Sequence, residues 1–328
     1  MEIFIYQSIL LQKMNEKTKK LLFEYIGNSR ISTKELGKKI GSSQQSVSYL
    51  LNSNKEKKLI LEDALIIDAV KLGYINIFVG FNYIKTESKV RKETILKLKE
   101  IDEIIGIEES KEGFDLLVEF SVKNLAAFDK IHINLVHKFD KLLKTAFIFP
   151  IVTKYKYPKK YLRPSRVAKS NILFSDREVR VLSKNEKALL LELIKNPTVT
   201  ITELSTKLKL NVKSIINLKK GLEKKYVIKG YTAILNNKDL GISRKIIFLR
   251  FSSEGIKEID KFLLYSANNK NITEVIKTVG SSQLVVVTEG LEEIDIIREI
   301  RALFSIDDYM IFKSLKVHKK RYLPENFN

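Results

Sequence analysis

Apolar positions at Leu21, Leu22, Tyr25 and Ile26, with Lys17, Lys19, Lys20 and Glu24 around them, have the spacing of one buried helix face over residues 17 to 27. Ser32 or Thr33 caps a second helix that runs to about Ile40 and ends at Gly41. A third helix from Ser43 sets Val47, Leu50 and Leu51 on one side and Gln44, Gln45, Ser48, Tyr49 and Asn52 largely on the other. Small Gly37, turn-forming Gly41, then Val47 and Leu50 is the spacing of a helix-turn-helix, whose two helices cross closely. The same pattern also suits a plain three-helix packing unit. In a helix-turn-helix the exposed row Gln44, Gln45, Ser48 and Tyr49 would face base edges in a major groove. Lys55, Lys57 and Lys58 then lead into Leu59-Ile60 and an expected short hairpin, placed as a phosphate-contacting wing would be.

The period changes from helical to alternating at Ile75. Strand-like segments at Ile75–Tyr83, Ile104–Glu109, Phe114–Val122 and Thr145–Tyr155 are separated by helical segments at Thr86–Lys99 and Asn124–Leu143, giving the order βαββαβ. Such a split βαβ sheet carries both helices on one face and leaves the other needing cover.

The chain then repeats itself. Adding 168 carries Leu21, Leu22, Glu24, Ile26 and Asn28 onto Leu189, Leu190, Glu192, Ile194 and Asn196, and the match continues without a gap to Leu72-Gly73 and Leu240-Gly241. Beyond this stretch the copies are expected to lose exact register and to converge again at Lys159-Lys160-Tyr161-Leu162 and Lys320-Arg321-Tyr322-Leu323. In the second copy Ser205 keeps a small residue, but Lys209 stands where the turn glycine belongs. Its exposed third-helix face, Asn211, Lys213, Ser214, Asn217 and Lys220, is more basic and suits phosphate more than bases. The expected fold class is therefore α+β, two tandem units of winged helix-turn-helix followed by a ferredoxin-like βαββαβ domain. The boundaries are 15–73 and 74–162 for the first unit, 163–183 for a linker holding Pro164 and Ser165, then 184–241 and 242–324.

Charge supports a polyanionic partner: Lys+Arg of 59 against Asp+Glu of 39 leaves +20, spread along the chain. Absence of cysteine excludes disulfides, thiolate metal sites and a cysteine nucleophile. No metal site is expected, since His132 and His137 lie five apart rather than four and His318 falls in a basic tail. No phosphate-binding glycine loop or serine nucleophile elbow occurs, so neither a cofactor nor catalysis is expected. The opening residues 1–14 lack a basic start and a cleavage site, which predicts a cytoplasmic chain without a membrane anchor; those residues could equally be a pairing strand, a helix leader or an overlong start. The lysines at 154, 156, 159 and 160, among Tyr155, Tyr157 and Tyr161, read as a charged sheet edge that discourages pairing, or as a base-stacking nucleic-acid surface.

Taken together these features resemble the leucine-responsive regulatory protein (Lrp/AsnC) family, whose subunits join a winged helix-turn-helix to a RAM-type amino-acid-sensing domain. The stretch Leu222-Glu223-Lys224-Lys225-Tyr226-Val227-Ile228-Lys229-Gly230-Tyr231 looks like the family's run after the recognition helix, with Tyr226 in place of its usual glycine. Glu112-Gly113-Phe114-Asp115-Leu116 resembles its glycine-and-acid turn, and Gly280-Ser281-Ser282-Gln283-Leu284 is a degraded version. The resemblance implies sequence-specific transcription control on double-stranded DNA, with a small effector such as an amino acid held between paired sensor domains, here near Gly113 and Asp115. The ordinary subunit carries one copy, so the tandem implies an intrachain pseudo-dimer or a homo-oligomer. The alternatives are an Lrp-like tetrapyrrole (siroheme) decarboxylase, which should show histidine and aromatic-rich motifs, and a general nucleic-acid-binding or architectural protein.

Overall fold

The structure is a computed structural model that describes residues 14–327 apart from 86, 111, 165–169, 175–177 and 294. Residues 1–13, Ser165 and the expected helix start at Thr86 therefore lie outside the described residues. Asn15 starts α1 (Glu16–Gly27) by accepting from the Thr18 N–H at 2.8 Å. Ser32 caps α2 (Thr33–Ile40) at Glu35 N, and Ser43 caps α3 (Gln44–Glu56) at Ser46 N. Gly41 turns in the left-handed region at φ 68°, and a Cβ on Gly37 would meet the Ser42 carbonyl oxygen at 2.6 Å. The sequence spacing thus forms a helix-turn-helix for the reasons expected. β1 (Ile60–Ile67) follows, then β2 (Ile75–Tyr83), α4 (Ser88–Lys99), β3 (Ile104–Ser110), β4 (Leu116–Val122), α5 (Leu125–Lys138) and β5 (Leu143–Lys156).

After a short β6 (Asn171–Leu173) the second copy runs α6 (Lys184–Lys195), α7 (Ile201–Leu208), α8 (Val212–Lys224), β7 (Ile228–Leu235), β8 (Ser243–Phe251), α9 (Ile259–Asn268), β9 (Ile272–Thr278), β10 (Leu284–Gly290), α10 (Ile296–Leu303) and β11 (Ile306–Lys320). The 168-residue offset persists further than its sequence suggests. β2 and β8, β3 and β9, β4 and β10 begin and end 168 apart, and the register changes only afterwards. Lys209 keeps the helix-turn-helix turn without glycine by adopting φ 53°. A left-handed conformation costs an L side chain about 1–2 kcal/mol, partly offset by the looser unfolded chain of a glycine variant. Lys209→Gly is expected to raise stability by about 1 kcal/mol, measurable as a higher urea midpoint.

Three expectations change in the assembled fold. First, β1 does not fold back as a wing hairpin: it pairs antiparallel with β7 of the other copy, from Ile60 opposite Leu235 to Ile67 opposite Ile228. Its apolar end, Ala64–Ile67, is buried, and a strand apolar on both sides needs cover that a solvated hairpin lacks. The first headpiece accordingly shares its core with Ala233, Leu235 and Ile242 from the second copy. Second, the 163–183 segment is more than a spacer, because Asn171–Leu173 pairs with Lys154–Lys156 and both Leu173 and Phe174 are buried. Third, the lysine-rich end of β5 is not a free edge.

That third change follows from how the two ferredoxin-like sheets close. Residues 143–150 of β5 pair with β2, and residues 151–156 pair with β9. Pro150, which has no N–H to donate, stands at the changeover. β11 does the same, pairing with β8 up to Lys313 and with β3 from Ser314 onward. The strand order β2-β4-β3-β11-β8-β10-β9-β5 returns to β2, so the two ferredoxin-like sheets form one closed antiparallel ring. Its interior is filled by Phe78, Phe114, Phe147, Phe149, Phe248 and Phe312, with Phe147 and Phe149 stacked at 4.5 Å and Phe114 edge-on to Phe147 at 4.9 Å. Neighbouring strand positions such as Ile77 and Val79 point outward beneath α4 and α5, and Ile247 and Leu249 do so beneath α9 and α10.

Candidate functional site

The third helices of the two copies, α3 and α8, differ in what they present. On α3, Gln44, Gln45, Tyr49 and Asn52 are exposed and Ser48 is half-buried, while Val47 and Leu51 hold the helix to the headpiece core. Tyr49 is 74% exposed, which no packing role explains. Lys57 and Lys58 are exposed in the turn after the helix. Lys55 is committed elsewhere, since its ammonium pairs with Asp63 at 2.9 Å and lies over the Tyr25 ring. On α8, Lys213, Asn217 and Lys220 are exposed. Asn211 is the helix cap, its side chain accepting from the Ser214 N–H at 2.8 Å. Exposed Val212 and Ile216 occupy the places of Gln44 and Ser48, a difference that the basic count of this face concealed.

The glycine-and-acid turn makes close contacts within the fold. Gly113 has φ 90°, and a Cβ there would meet the Ile311 carbonyl oxygen of β11 at 2.5 Å. The Asp115 carboxylate accepts from Tyr83 N–H at 2.8 Å, tying β4 to β2. Neither residue lines the cavities of about 470, 270 and 20 Å³ found among the described residues. His318 is not in a solvated tail but on β11, with Nε2 2.9 Å from Glu109 Oε2. His132 stacks on Phe128 and contacts Thr145 Oγ1 at 3.1 Å, where burial lowers its pKa.

The most concentrated chemistry lies where the sequence suggested a sheet edge. Between the first headpiece, β7 and the end of the sensor ring is a cavity of about 470 Å³. Among the described residues, six cationic side chains line it: Lys39, Lys156, Lys159, Lys229, Arg244 and Lys320. Four carboxylates answer them, Glu24, Glu108, Glu274 and Glu289. Arg244 bridges two of these, with Nε 2.7 Å from Glu108 and an Nη 2.8 Å from Glu289. Lys159 and the Tyr161 hydroxyl also bind Glu289, and Lys156 donates to the Tyr322 hydroxyl. Behind them Lys154 and Glu119 form a fully interior pair at 2.8 Å, with Asn76 and Lys320 also on Glu119.

Burial alone would raise the Glu289 carboxyl, but Lys159 and Arg244 hold it down at about 2. Glu274 is likewise pushed below its ordinary value against burial, by Lys320 and Lys156. Burial pulls the ammonium pKa of Lys156 and Lys159 down, with Glu274 and Glu289 opposing it. A carboxyl depressed in the folded state contributes stability that is complete above its ordinary pKa of 4.5 and is lost as pH falls from there. Acid is therefore expected to lower the urea midpoint between pH 4.5 and about 2, the window set by Glu289; an unchanged midpoint across that window would contradict the network.

No family model matches the chain. An HTH-type transcriptional regulator of Methanocaldococcus jannaschii, Ptr1, is 32% identical over 104 residues, which are 32% of this chain and 69% of that protein. The chain belongs to the HTH-type transcriptional regulators. This membership agrees with the Lrp/AsnC resemblance of its sequence. An uncharacterised regulator of the same description from Pyrococcus furiosus is 35% identical over 102 residues, and the chain spans only 66% of its length. Among solved structures, the siroheme decarboxylase NirDL superposes with a TM-score of 0.59 at 14% identity, covering 94% of both chains. That likeness is one of fold, and it extends over both tandem units. Among the described residues, no helix is long and apolar enough to cross a membrane and no group of three or more His, Cys, Asp or Glu side chains could hold a metal ion.

Proposed function

We propose that this regulator binds double-stranded DNA sequence-specifically, with one chain supplying both halves of a dimer-like reader. The observation that carries the reading is an α3 whose Gln44, Gln45 and Tyr49 are left exposed, in a chain that belongs to the HTH-type regulators and whose second helix-turn-helix is bound to the first through β1 and β7. Ser48, Lys57 and Lys58 complete the first contact surface, and Lys213, Ser214, Asn217 and Lys220 give the second a phosphate-weighted one. Lys55 and Asn211 are better explained by their ion pair and cap. Because the two faces differ, the preferred site is an asymmetric pair of half-sites. A regulator of this kind acts in the cytoplasm, without catalysis.

Selection of binding sites from random duplex, followed by comparison of the selected duplex, random duplex and single-stranded RNA at matched salt, tests this. Asymmetric selected sites with clear preference over random duplex support it. Equal affinity for all three identifies an architectural nucleic-acid binder instead, and symmetric sites for a single chain reject the divided roles.

A second reading, a tetrapyrrole decarboxylase, draws on the buried cationic cavity with Tyr157 and Tyr322 in its wall. None of the three histidines, His132, His137 and His318, lines that cavity, which weighs against it. A haem-type absorbance spectrum on the purified chain would favour the decarboxylase.

A further inference from the structure

We infer that the cavity between the first headpiece and the sensor ring binds one small dianionic organic ligand per chain, a dicarboxylate or a phosphate monoester, and that its occupancy changes how the first headpiece reads DNA. The coupling rests on the DNA-reading function proposed above; the binding does not.

Charge is the first argument. Among the described residues the lining holds six cations and four carboxylates; with the groups paired to them behind the wall, Lys154, Arg163, Glu35, Asp68 and Glu119, the surroundings hold eight cations and seven carboxylates and stay net positive. Excess positive charge in a recess only partly open to water is costly, and an anion from solution is the economical way to neutralise it. Two of the cations are only loosely held: Lys229 is 3.8 Å from Asp68 and Lys39 is 3.6 Å from Glu24. These can turn to a ligand, whereas Arg244 is locked by its two carboxylates at 2.7 and 2.8 Å. The volume of about 470 Å³ lies within the range of about 300–1,000 Å³ usual for small-molecule sites.

Broken symmetry is the second argument. The duplication supplies a mate cavity, where Ile194, Lys195 and Asn196 replace Ile26, Gly27 and Asn28, and Ala64 and Leu65 replace Thr232 and Ala233. It is smaller, about 270 Å³, and its Lys195, Lys320 and Arg321 are balanced by Glu62, Asp63 and Glu325. At the 168-residue offset the first copy has Asn76 where the second has Arg244, Ser121 for Glu289 and Gly106 for Glu274. The charged cavity is thus a property of one half alone.

Position supplies the coupling. The end of α1 (Ile26, Gly27, Asn28) and Lys39 of α2 form one wall, and β5, β8 and β11 of the ring form the other. A ligand bridging them fixes the headpiece against the ring, so its differential affinity for headpiece positions shifts DNA binding.

Calorimetric titration of the intact chain with 2-oxoglutarate, AMP and L-leucine tests the site. The expected result is saturable binding of 2-oxoglutarate or AMP at one equivalent per chain, with a Kd below about 1 mM; which of the two binds separates carboxylate from phosphate. Lys229→Gln should weaken it at least about tenfold. Asn237→Asp, which adds a negative charge to the wall while leaving the ion pairs in place, should do the same if Lys229→Gln compromises folding. Lys195→Gln in the mate cavity should leave it unchanged. No saturable binding of either anion, two equivalents per chain, or equal binding of L-leucine overturns the inference and leaves the cavity as a hydrated ion network. The same titration in a gel-shift assay keeps the claims apart. Anion binding by a chain that does not bind DNA rejects the reading function and not the site, and DNA binding without anion binding does the reverse.

Discussion

Glu119→Leu is expected to lower stability by about 3–5 kcal/mol, the cost of breaking a buried pair by removing one partner. Glu119 and Lys154 are 5% and 3% exposed and lie 2.8 Å apart at the centre of the fold. Losing the carboxylate would strand the Lys154 ammonium over the rings of Phe78 and Phe174, and would also leave the Asn76 amide and Lys320 short of a partner. The double variant Glu119→Leu/Lys154→Met removes both charges and should recover most of the loss, since apolar replacements of buried pairs are often neutral. Urea denaturation of the single and double variants decides the matter. A single variant within about 1 kcal/mol of the parent would show that water reaches the pair. Lys313→Ala, whose pair with Glu293 is exposed, is the surface control, expected to cost less than about 1 kcal/mol.

Gln45→Ala is expected to relax sequence preference by about 1–3 kcal/mol at one base pair while hardly altering affinity for random duplex. Lys57→Ala or Lys58→Ala should instead weaken all duplexes alike and reduce the slope of log K against log salt by about one. The structure sharpens this contrast, because Lys55, two residues before Lys57, is already neutralised by Asp63 and should contribute less to the slope than its neighbours. On α8 the exposed Val212 and Ile216 can touch a thymine methyl but cannot donate or accept, so substitutions there should discriminate less sharply than at Gln44 and Gln45. Quantitative binding of selected and scrambled duplexes over a salt series checks all of these. Equal losses on both duplexes for Gln45→Ala would show that α3 does not face the bases.

What the sequence revealed and what it hid divide along a physical line. Helix caps, the turn at Gly41 and the βαββαβ order are local, set by residues a few positions apart, and Ser32, Ser43, Asn15 and Asn124 cap the helices they precede. The partner of a strand is not local. β1 has the composition of a wing, and only the presence of β7 on the other copy makes an intercopy ribbon the better burial for Ala64–Ile67. The lysines of β5 misled for the same reason. Alternating charge at a strand end reads as an exposed edge until β9 arrives beside it and Glu119 and Glu274, both far away in sequence, meet Lys154 and Lys156, as Glu289 meets Lys159 just beyond the strand. One signal was present: Arg244, Glu274 and Glu289 are charges at strand positions that the 168-residue offset aligns with uncharged Asn76, Gly106 and Ser121. Gly113 and Asp115 were legible as a turn, but residue type alone did not disclose that it packs on β11 and bonds Tyr83.

The ring of strands closes within one polypeptide, and dilution therefore cannot open it. In a regulator assembled from two separate subunits, halving the concentration lowers the paired fraction and moves the melting temperature, because unfolding and dissociation are one event. Here the two sensor sheets meet at an effective concentration fixed by covalent connection. A cell can hold such a protein at very few copies and still have the ring of every one of them closed, and a change in one half is never forced upon the other.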